Sequence, residues 1–389
     1  MINTNTLSLK AICIVFFSII LVACGSKKAS IIAEEKPEKK PKISNTFKLG
    51  RQWSASVGRG FRDDFTGFKL EILGDFAYAA SQSGNVRSVN IKTGRTVWKT
   101  DVKDKLSAGV GLGIDHVFVA TIDGVVIALS NKDGKEQWRY QASSEILTAP
   151  AASNETIIVR SSDAKVAGLS IEDGSQQWII QRDLPRLSLR GDSQPLIFQD
   201  VAVVGFATGN MLAIRLNDGS VIWDVPVSTP RGSNEIERII DIFSKPLIIG
   251  QTLFANTYQG SVIAVDIPTR RLSWRENQSS YRDLDSDGEN LYLSNEKGVI
   301  VALDSVSGSV LWKNEDLKFR NISAPKVVGS YLMVFGNDGD MYLFALADGS
   351  LFGRYKIPGK SIVGNPIVIG NQFYILTSGG DIRAYELTQ

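Results

Sequence analysis

The chain has 389 residues, a length that by itself would allow two or three domains. Its 43 Lys and Arg residues nearly balance 41 Asp and Glu residues, and the resulting net charge of +2 argues against the strongly basic surface that is typical of nucleic-acid binding. With only two cysteines, Cys13 and Cys24, a framework of several disulfides is excluded.

Residues 1–23 have the pattern of a secretory signal peptide. Lys10 precedes the apolar run AICIVFFSIILVA, which is shorter than the roughly 20 residues that a membrane-spanning helix requires. The run ends in LVAC (21–24), which is similar to the lipobox of bacterial lipoproteins. We therefore predict cleavage before Cys24 and lipidation of its thiol, with an ordinary secretory signal as the alternative.

Lipidation has two consequences. Cys13 leaves with the peptide, so no thiol remains for a disulfide, for redox chemistry or for zinc. Gly25 follows the modified cysteine, and by similarity to lipoprotein sorting rules the absence of Asp there points to the outer membrane. Several acyl chains would hold the protein firmly on a bilayer, since one chain binds only marginally.

Residues 24–46 are predicted to be the lipidated cysteine and a flexible tether. The segment from Ser26 to Thr46 is rich in Lys, Glu, Pro and Ser and has no aromatic residue, so it cannot bury enough apolar surface to fold. Its lysines could instead contact anionic lipid. The globular part is predicted to be residues 47–389.

An internal repeat dominates the globular part. In GNVRSVNIKTGRTVW (84–98), a Gly is followed ten positions later by a second Gly and four positions after that by Trp. We interpret each copy as a β-hairpin with a Gly-centred turn and a second strand that ends in Trp. Ala164 and Arg270 each replace a Gly, so we expect those two turns to differ. A seventh copy ends in Gly353. Six copies end in Trp: Trp98, Trp138, Trp178, Trp223, Trp274 and Trp312.

Two further strands precede each hairpin, and a proline marks the first of them. The prolines are Pro150, Pro195, Pro246, Pro325 and Pro366. Four strands in every repeat of about 40 residues are typical of a β-propeller. We therefore predict an all-β, eight-bladed propeller of four-stranded blades, in which each Trp packs between neighbouring blades because a large ring fills the wedge-shaped gap.

The two ends of the globular part complete one blade. The C-terminal repeat stops before its outermost strand, whereas LGRQWSASVG (49–58) contains Trp53 with no repeat in front of it. We predict that this segment pairs with Asp381–Glu386 of the eighth blade and closes the ring, which removes an exposed edge.

Two consecutive connections between blades are unusually long. The connection from Trp178 to Pro195 spans 17 positions and that from Trp223 to Pro246 spans 23, whereas the others span 10 to 13. Both should emerge side by side on one face, and long loops on a rigid scaffold are candidate sites. Aliphatic and aromatic groups beside Arg favour a protein–protein contact; the alternative is that the loops only cap the channel. The candidate residues are Leu187, Leu189, Arg190, Glu237, Arg238, Asp241 and Phe243.

The repeats resemble those of pyrroloquinoline-quinone-type eight-bladed propellers. Together with the lipobox and tether, the stretches LPRLSLRGDSQP (184–195) and SNEIERIIDIFSKP (233–246) resemble the BamB family of outer-membrane lipoproteins. The resemblance implies a periplasm-facing scaffold of the outer-membrane β-barrel assembly (BAM) complex, which docks the periplasmic repeat domains of the barrel-forming subunit BamA. It also implies that Leu187, Leu189, Arg190 and Asp241 are at BamA-contact positions, with Phe243 where the family has an acidic residue.

Other functions are less well supported. A quinone-dependent dehydrogenase would need a calcium site, a catalytic carboxylate and, in many members, adjacent cysteines. The chain has no cysteine pair, and its single His116 cannot build a multi-histidine site. We predict no enzyme activity, no cofactor and no metal. A peptidoglycan-binding propeller is a third possibility, and unfolded outer-membrane proteins are possible clients at exposed strand edges.

One acidic stretch needs a calcium test. In DLDSDGEN (283–290), Asp283, Asp285, Asp287 and Gly288 fit positions 1, 3, 5 and 6 of an EF-hand loop. The twelfth position is Ser294, where a bidentate Glu is needed, and the following residues favour strands. We interpret the stretch as a turn between two strands.

Overall fold

The computed structural model describes residues 36–37, 39–61, 67–189, 193–358 and 361–388. The predicted signal peptide, Cys24 and the first part of the tether lie outside these ranges, so the lipidation stays a prediction. All regular structure in the described residues is β-strand, and these residues contain no helix that is long and apolar enough to span a membrane.

Eight sheets follow one another along the chain as blades, and each blade runs from an innermost to an outermost strand. Before the first blade lie β1 (Lys48–Ser56) and β2 (Gly67–Phe68). Blades 1 and 2 are β3 (Glu71–Leu73), β4 (Phe76–Ala80), β5 (Asn85–Asn90), β6 (Thr96–Asp101), and β7 (Leu106–Leu112), β8 (His116–Thr121), β9 (Val125–Ser130), β10 (Glu136–Gln141). Blades 3 and 4 are β11 (Ala151–Ala152), β12 (Thr156–Ser161), β13 (Lys165–Ser170), β14 (Gln176–Gln181), and β15 (Leu196–Phe198), β16 (Val201–Gly205), β17 (Asn210–Arg215), β18 (Val221–Pro226).

The second half of the ring repeats the arrangement. Blades 5 and 6 are β19 (Leu247–Ile249), β20 (Thr252–Asn256), β21 (Val262–Asp266), β22 (Arg271–Glu276), and β23 (Asp285–Ser286), β24 (Asn290–Ser294), β25 (Ile300–Asp304), β26 (Val310–Asn314). Blade 7 is β27 (Lys326–Val328), β28 (Tyr331–Phe335), β29 (Asp340–Ala345), β30 (Leu351–Lys356), and blade 8 contains β31 (Ile362–Ile369), β32 (Gln372–Thr377), β33 (Asp381–Thr388). The predicted all-β, eight-bladed propeller is confirmed.

The N-terminal strand closes the ring. β1 is the fourth strand of blade 8 and pairs antiparallel with β33, in a register that places Trp53 opposite Ala384. The predicted pairing of residues 49–57 with the last blade is therefore confirmed. One strand was not expected: β2 pairs in parallel with β7 and gives blade 2 a fifth strand, held by Phe68, which is buried and packs on Phe61 at 4.9 Å between ring centroids.

The repeat tryptophans join neighbouring blades. Each lies within its outermost strand rather than at the strand's end, and the indole of Trp138, for example, donates a hydrogen bond to the carbonyl of Ile171 in the next blade at 3.0 Å. Trp223 packs in a cluster of blade 4 and blade 5 residues. The same hydrogen bond to the next blade is made by Trp53, Trp98, Trp178, Trp274 and Trp312.

The second glycine of the repeat allows this packing. Gly174 has a φ of 72°, and a Cβ at this position would approach the ring of Trp138 to less than 3.0 Å. Arg270 takes the same place in blade 5 with a φ of 61°, and its N–H bonds the carbonyl of Asp266 as the N–H of Gly174 bonds that of Ser170. The expectation that this turn differs is wrong, because the backbone keeps its left-handed conformation despite the side chain. Ala164 likewise keeps the turn, with a φ of 59°.

Blade 7, which lacks the repeat Trp, is completed by the segment before β1. The ring of Tyr355 covers Gly353, and the Tyr355 hydroxyl is 3.1 Å from both the N–H and the carbonyl oxygen of Phe47. The Phe47 ring packs edge-on against Tyr331 and Phe352. Three aromatic side chains and Phe47 therefore fill the wedge that Trp fills in the other blades.

Residues 40–45, which the sequence assigned to the flexible tether, also contact blade 7. The ammonium group of Lys40 lies 2.7 Å from carboxylate oxygens of both Asp338 and Asp340, and the Asp340 side chain is only 3% exposed. The Asn45 side-chain amide bonds both the N–H and the carbonyl of Arg354. It thus takes the place of the backbone of an added strand. The composition of this segment gave no sign of these contacts.

Candidate functional site

Loop A (residues 182–195) and loop B (residues 227–246) lie side by side on one face of the propeller. The carboxylate of Asp241 accepts a hydrogen bond from the N–H of Leu189 at 2.6 Å, and the Ser193 hydroxyl donates to the carbonyl of Ser244 at 2.7 Å. The expected adjacency of the two long connections is thus confirmed. Arg190 lies outside the described residues, together with Gly191 and Asp192.

Loop B is anchored by its own apolar residues. Ile239, Ile240 and Ile242 are all buried, and Ile240 and Ile242 occupy the space beside Gly209 and Gly205 where a side chain would otherwise lie. Loop A is held at its start by an ion pair of 3.0 Å between Arg182 and Asp224 of β18. A loop that is packed on its inner side can present its outer side chains in a fixed arrangement.

Several large apolar side chains are exposed on the outer side of the loops. Leu187 is 44% exposed, Leu189 is 38% exposed and Ile236 of loop B is 67% exposed. We call these three residues, with Tyr258 and Tyr281, the docking face. Clustered large apolar side chains on a surface otherwise rich in polar groups are typical of an interaction site.

The two tyrosines of the docking face were not predicted from the sequence. Tyr258 and Tyr281 meet edge-on at 6.4 Å between ring centroids, and the guanidinium of Arg282 lies 4.3 Å from the centroid of the Tyr281 ring. The Gln259 side chain donates to the carbonyl of Ile236, which joins loop B to this pair. Loop length could not reveal them, because the connection that carries Tyr281 is among the shortest in the ring.

The polar candidates of loop B have different environments. Asp241 is 2% exposed and positions Leu189 through its hydrogen bond, so its role as a contact residue stays a prediction. Phe243 is half-buried, whereas Arg238 is exposed. Glu237 is exposed but folds back on its own loop, because its carboxylate accepts hydrogen bonds from the N–H and hydroxyl of Ser233, and these bonds lower its pKa.

Polar side chains also meet in the centre of the ring. The Lys69 ammonium reaches the Gln194 side chain at 2.9 Å, although two blades separate them along the ring. Asp283 accepts hydrogen bonds from the N–H of Lys245 and from Asn365, both at 2.7 Å. Burial raises the pKa of Asp283 and lowers that of Lys245. These bonds span the inner strands, so side chains fill at least part of the channel.

The acidic stretch 283–290 does not converge on one point. Asp283 faces the channel, Asp285 binds the ammonium of Lys326 on blade 7, and Asp287 accepts from the Tyr292 hydroxyl. The stretch contains β23, and its residues 287–289 form the turn between β23 and β24, in agreement with the expected turn between two strands. Within the described ranges, no group of three or more His, Cys, Asp or Glu side chains is placed to hold a metal ion. His116 begins β8 and stacks on Phe118 at 5.8 Å.

Comparison with known proteins identifies the family. The family model described as outer membrane protein assembly factor BamB matches residues 82–314, which is more than half of the chain. The chain belongs to the BamB family. It is 41% identical to outer membrane protein assembly factor BamB of Pseudomonas aeruginosa, over 94% of this chain and 98% of that protein. The crystal structure of BamB from Moraxella catarrhalis superimposes with a TM-score of 0.80 at 26% identity, covering 87% of this chain and all of the other.

A propeller enzyme shares only the fold of this BamB-family chain. The quinohemoprotein alcohol dehydrogenase of Comamonas testosteroni superimposes with a TM-score of 0.67 over 87% of this chain and 76% of the enzyme, but at 13% identity. Such a likeness shows a shared architecture and no shared chemistry, because one fold supports many functions.

Proposed function

We propose that this chain is a scaffold of the outer-membrane protein assembly machinery and that it binds BamA through the docking face. Membership of the BamB family makes it an assembly factor and not an enzyme. The partner assignment depends on one observation: the bond between Leu189 and Asp241 joins two long loops, so that Leu187 and Leu189 are exposed on a packed base. In protein interfaces a small number of residues, held on a well-packed base, carries most of the binding energy.

Membrane attachment is the second part of the proposal. The LVAC sequence at 21–24 supports lipidation of Cys24, and Gly25 supports sorting to the outer membrane with the propeller in the periplasm. Growth with labelled palmitate should label the wild-type protein and not Cys24→Ser. A Cys24→Ser variant that keeps both the label and its membrane fractionation would contradict this part.

The partner assignment is tested by co-purification with BamA. The combined change Leu187→Ala, Leu189→Ala and Arg190→Ala should remove most of the captured BamA. Val97→Ala with Leu311→Ala is the matched control, since these side chains are also 47% and 49% exposed but lie on β6 and β26. Undiminished capture by the loop A variant, at equal protein stability, would overturn the assignment.

No structural observation favours the dehydrogenase alternative. Binding of a quinone and of calcium, followed by tryptophan fluorescence, gives a direct check. We expect no saturable response to either compound, and a saturable response to both would reopen the enzymatic function.

A further inference from the structure

The outermost strands of the blades differ in how their outer edges are protected. No described strand pairs with these edges, and soluble proteins usually blunt such edges with charges, proline or a covering segment. β30 is covered, because Asn45 bonds the backbone of Arg354 and Phe47 packs beside it. The other edges must be protected by their own side chains.

In most blades the residue directly after the repeat Trp is charged and protects the outer edge. It is charged in six blades: Lys99, Arg139, Asp224, Arg275, Lys313 and, after Gly353, Arg354. Several of these side chains also bind the preceding blade: Arg139 pairs with Asp104 at 2.5 Å, and Arg275 donates to the carbonyl of Pro226 at 3.1 Å. The two exceptions are Ser54 on β1 and Ile179 on β14.

Of these two strands, only β14 lacks any other charge. β1 includes Lys48 and Arg51, whereas β14 reads QQWIIQ and has neither a charged residue nor a proline. It is the only outermost strand among the described residues with this property. Ile179 is 45% exposed, so β14 offers unpaired backbone groups beside an accessible apolar side chain.

β14 also leads directly into loop A. Its last residue, Gln181, directly precedes loop A, and Arg182 fixes that junction through its ion pair with Asp224. An extended segment held along β14 would therefore end beside the start of loop A.

We propose that β14 is an acceptor edge for an extended segment of an unfolded outer-membrane barrel protein, which pairs with it as an added strand. This inference rests on the proposed function and names the client-binding site within it. Strands of membrane barrels are segments of about 10 residues that alternate apolar and polar side chains. Such a segment can bond any free backbone edge and can place an apolar side chain beside Ile179, where the other blades present a charge.

The test uses the complete globular chain and a synthetic strand peptide. The probe is a fluorescein-labelled peptide of alternating Thr and Val or Tyr residues, and its binding is followed by fluorescence anisotropy. We expect saturable binding and slower amide hydrogen exchange in residues 176–181, but not in residues 96–101 of β6. Ile179→Lys should weaken binding about tenfold, because it restores the charge that the other blades have.

A matched variant separates the edge from general surface effects. Val97→Lys introduces the same residue at a side chain that is 47% exposed on β6, and it should leave peptide binding unchanged. Unfolding curves establish that both variants are folded. Equal weakening by the two variants, protection that is absent from residues 176–181, or no binding by the wild type would each overturn the proposal.

The failure of this proposal is distinguishable from failure of BamA docking. Ile179→Lys should still capture BamA, since loop A is intact. The variant with Leu187→Ala, Leu189→Ala and Arg190→Ala should lose BamA and still bind the peptide. If Ile179→Lys loses BamA but keeps the peptide, then β14 belongs to the BamA interface and the client assignment is wrong.

Discussion

The carboxylate of Asp241 accepts a hydrogen bond from the backbone N–H of Leu189 at 2.6 Å, while Asp241 itself is only 2% exposed. Breaking such a bond is costly because a buried partner is left unsatisfied. Together with the bond from Ser193 to Ser244, it holds loop A against loop B. A buried residue therefore shapes the surface that we propose as the docking face.

Replacing this carboxylate should loosen loop A. Asp241→Ala should speed amide exchange in residues 184–189 and lower the free energy of unfolding by about 2 kcal/mol, as loss of a buried hydrogen bond with one partner left unsatisfied does. BamA affinity should fall with it. Glu237→Ala is the control, because this exposed carboxylate bonds only its own loop and its loss should leave exchange in loop A unchanged. Weakened BamA binding with unchanged exchange would instead mean that Asp241 contacts the partner directly.

The sequence predicts the scaffold better than the site. Six blades repeat the contact between a glycine and the tryptophan of the preceding blade, so the blade number and the role of Trp53 can be read from the spacing of these residues. The length of loops A and B also locates the docking face. Spacing cannot tell which side of a loop is buried, so it could not show that Asp241 is buried while Leu187 is exposed. Tyr281 was missed because it comes from one of the shortest connections and is brought to the site by folding.

Ring closure should depend on Trp53. Its indole donates to the carbonyl of Ile91 in blade 1 while its strand pairs with β33 of blade 8. Trp53→Ala should therefore lower the free energy of unfolding by about 3 kcal/mol, the lower end of the range for a large aromatic, since Trp53 is only partly buried. Chemical denaturation measures this, and exchange should rise in both β1 and β33. A rise in β1 alone would show that the last blade is stable without its fourth strand.

Gly174, which lies beside Trp138, gives a second stability test. Gly174→Ala should lower the free energy of unfolding by more than about 2 kcal/mol. It combines a left-handed backbone with a clash against the Trp138 ring. Gly250→Ala separates the two effects, because Gly250 has a φ of 57° but open space around it, and it should cost only about 1 kcal/mol. Thermal unfolding of both variants measures the difference. Equal destabilisation would mean that the ring yields and that backbone conformation alone selects glycine.

Docking of the segment before β1 should depend on pH. Burial tends to raise the pKa of Asp340, but the hydrogen bonds from Lys40 and Lys356 outweigh it, so this pKa lies below the usual carboxyl value. A carboxyl whose pKa is lower in the folded state contributes stability above its unfolded pKa of about 4 and loses it as the pH falls through the folded pKa. Asp340→Asn should therefore lower the free energy of unfolding by about 1–3 kcal/mol at pH 7, and the difference from wild type should shrink on acidification.

The same ion pairs should hold the tether on blade 7. Lys40→Ala should speed amide exchange in residues 42–47 at pH 7, because it removes the ammonium that joins Asp338 and Asp340. Asp101→Asn is a control, since this carboxylate pairs with Lys103 at a site where both side chains are well exposed, and such pairs add little stability. Unchanged exchange in Lys40→Ala, or an Asp340→Asn effect that does not vary between pH 3 and 7, would mean that the aromatic packing of Phe47 is sufficient and that residues 40–45 follow it without contributing to the attachment.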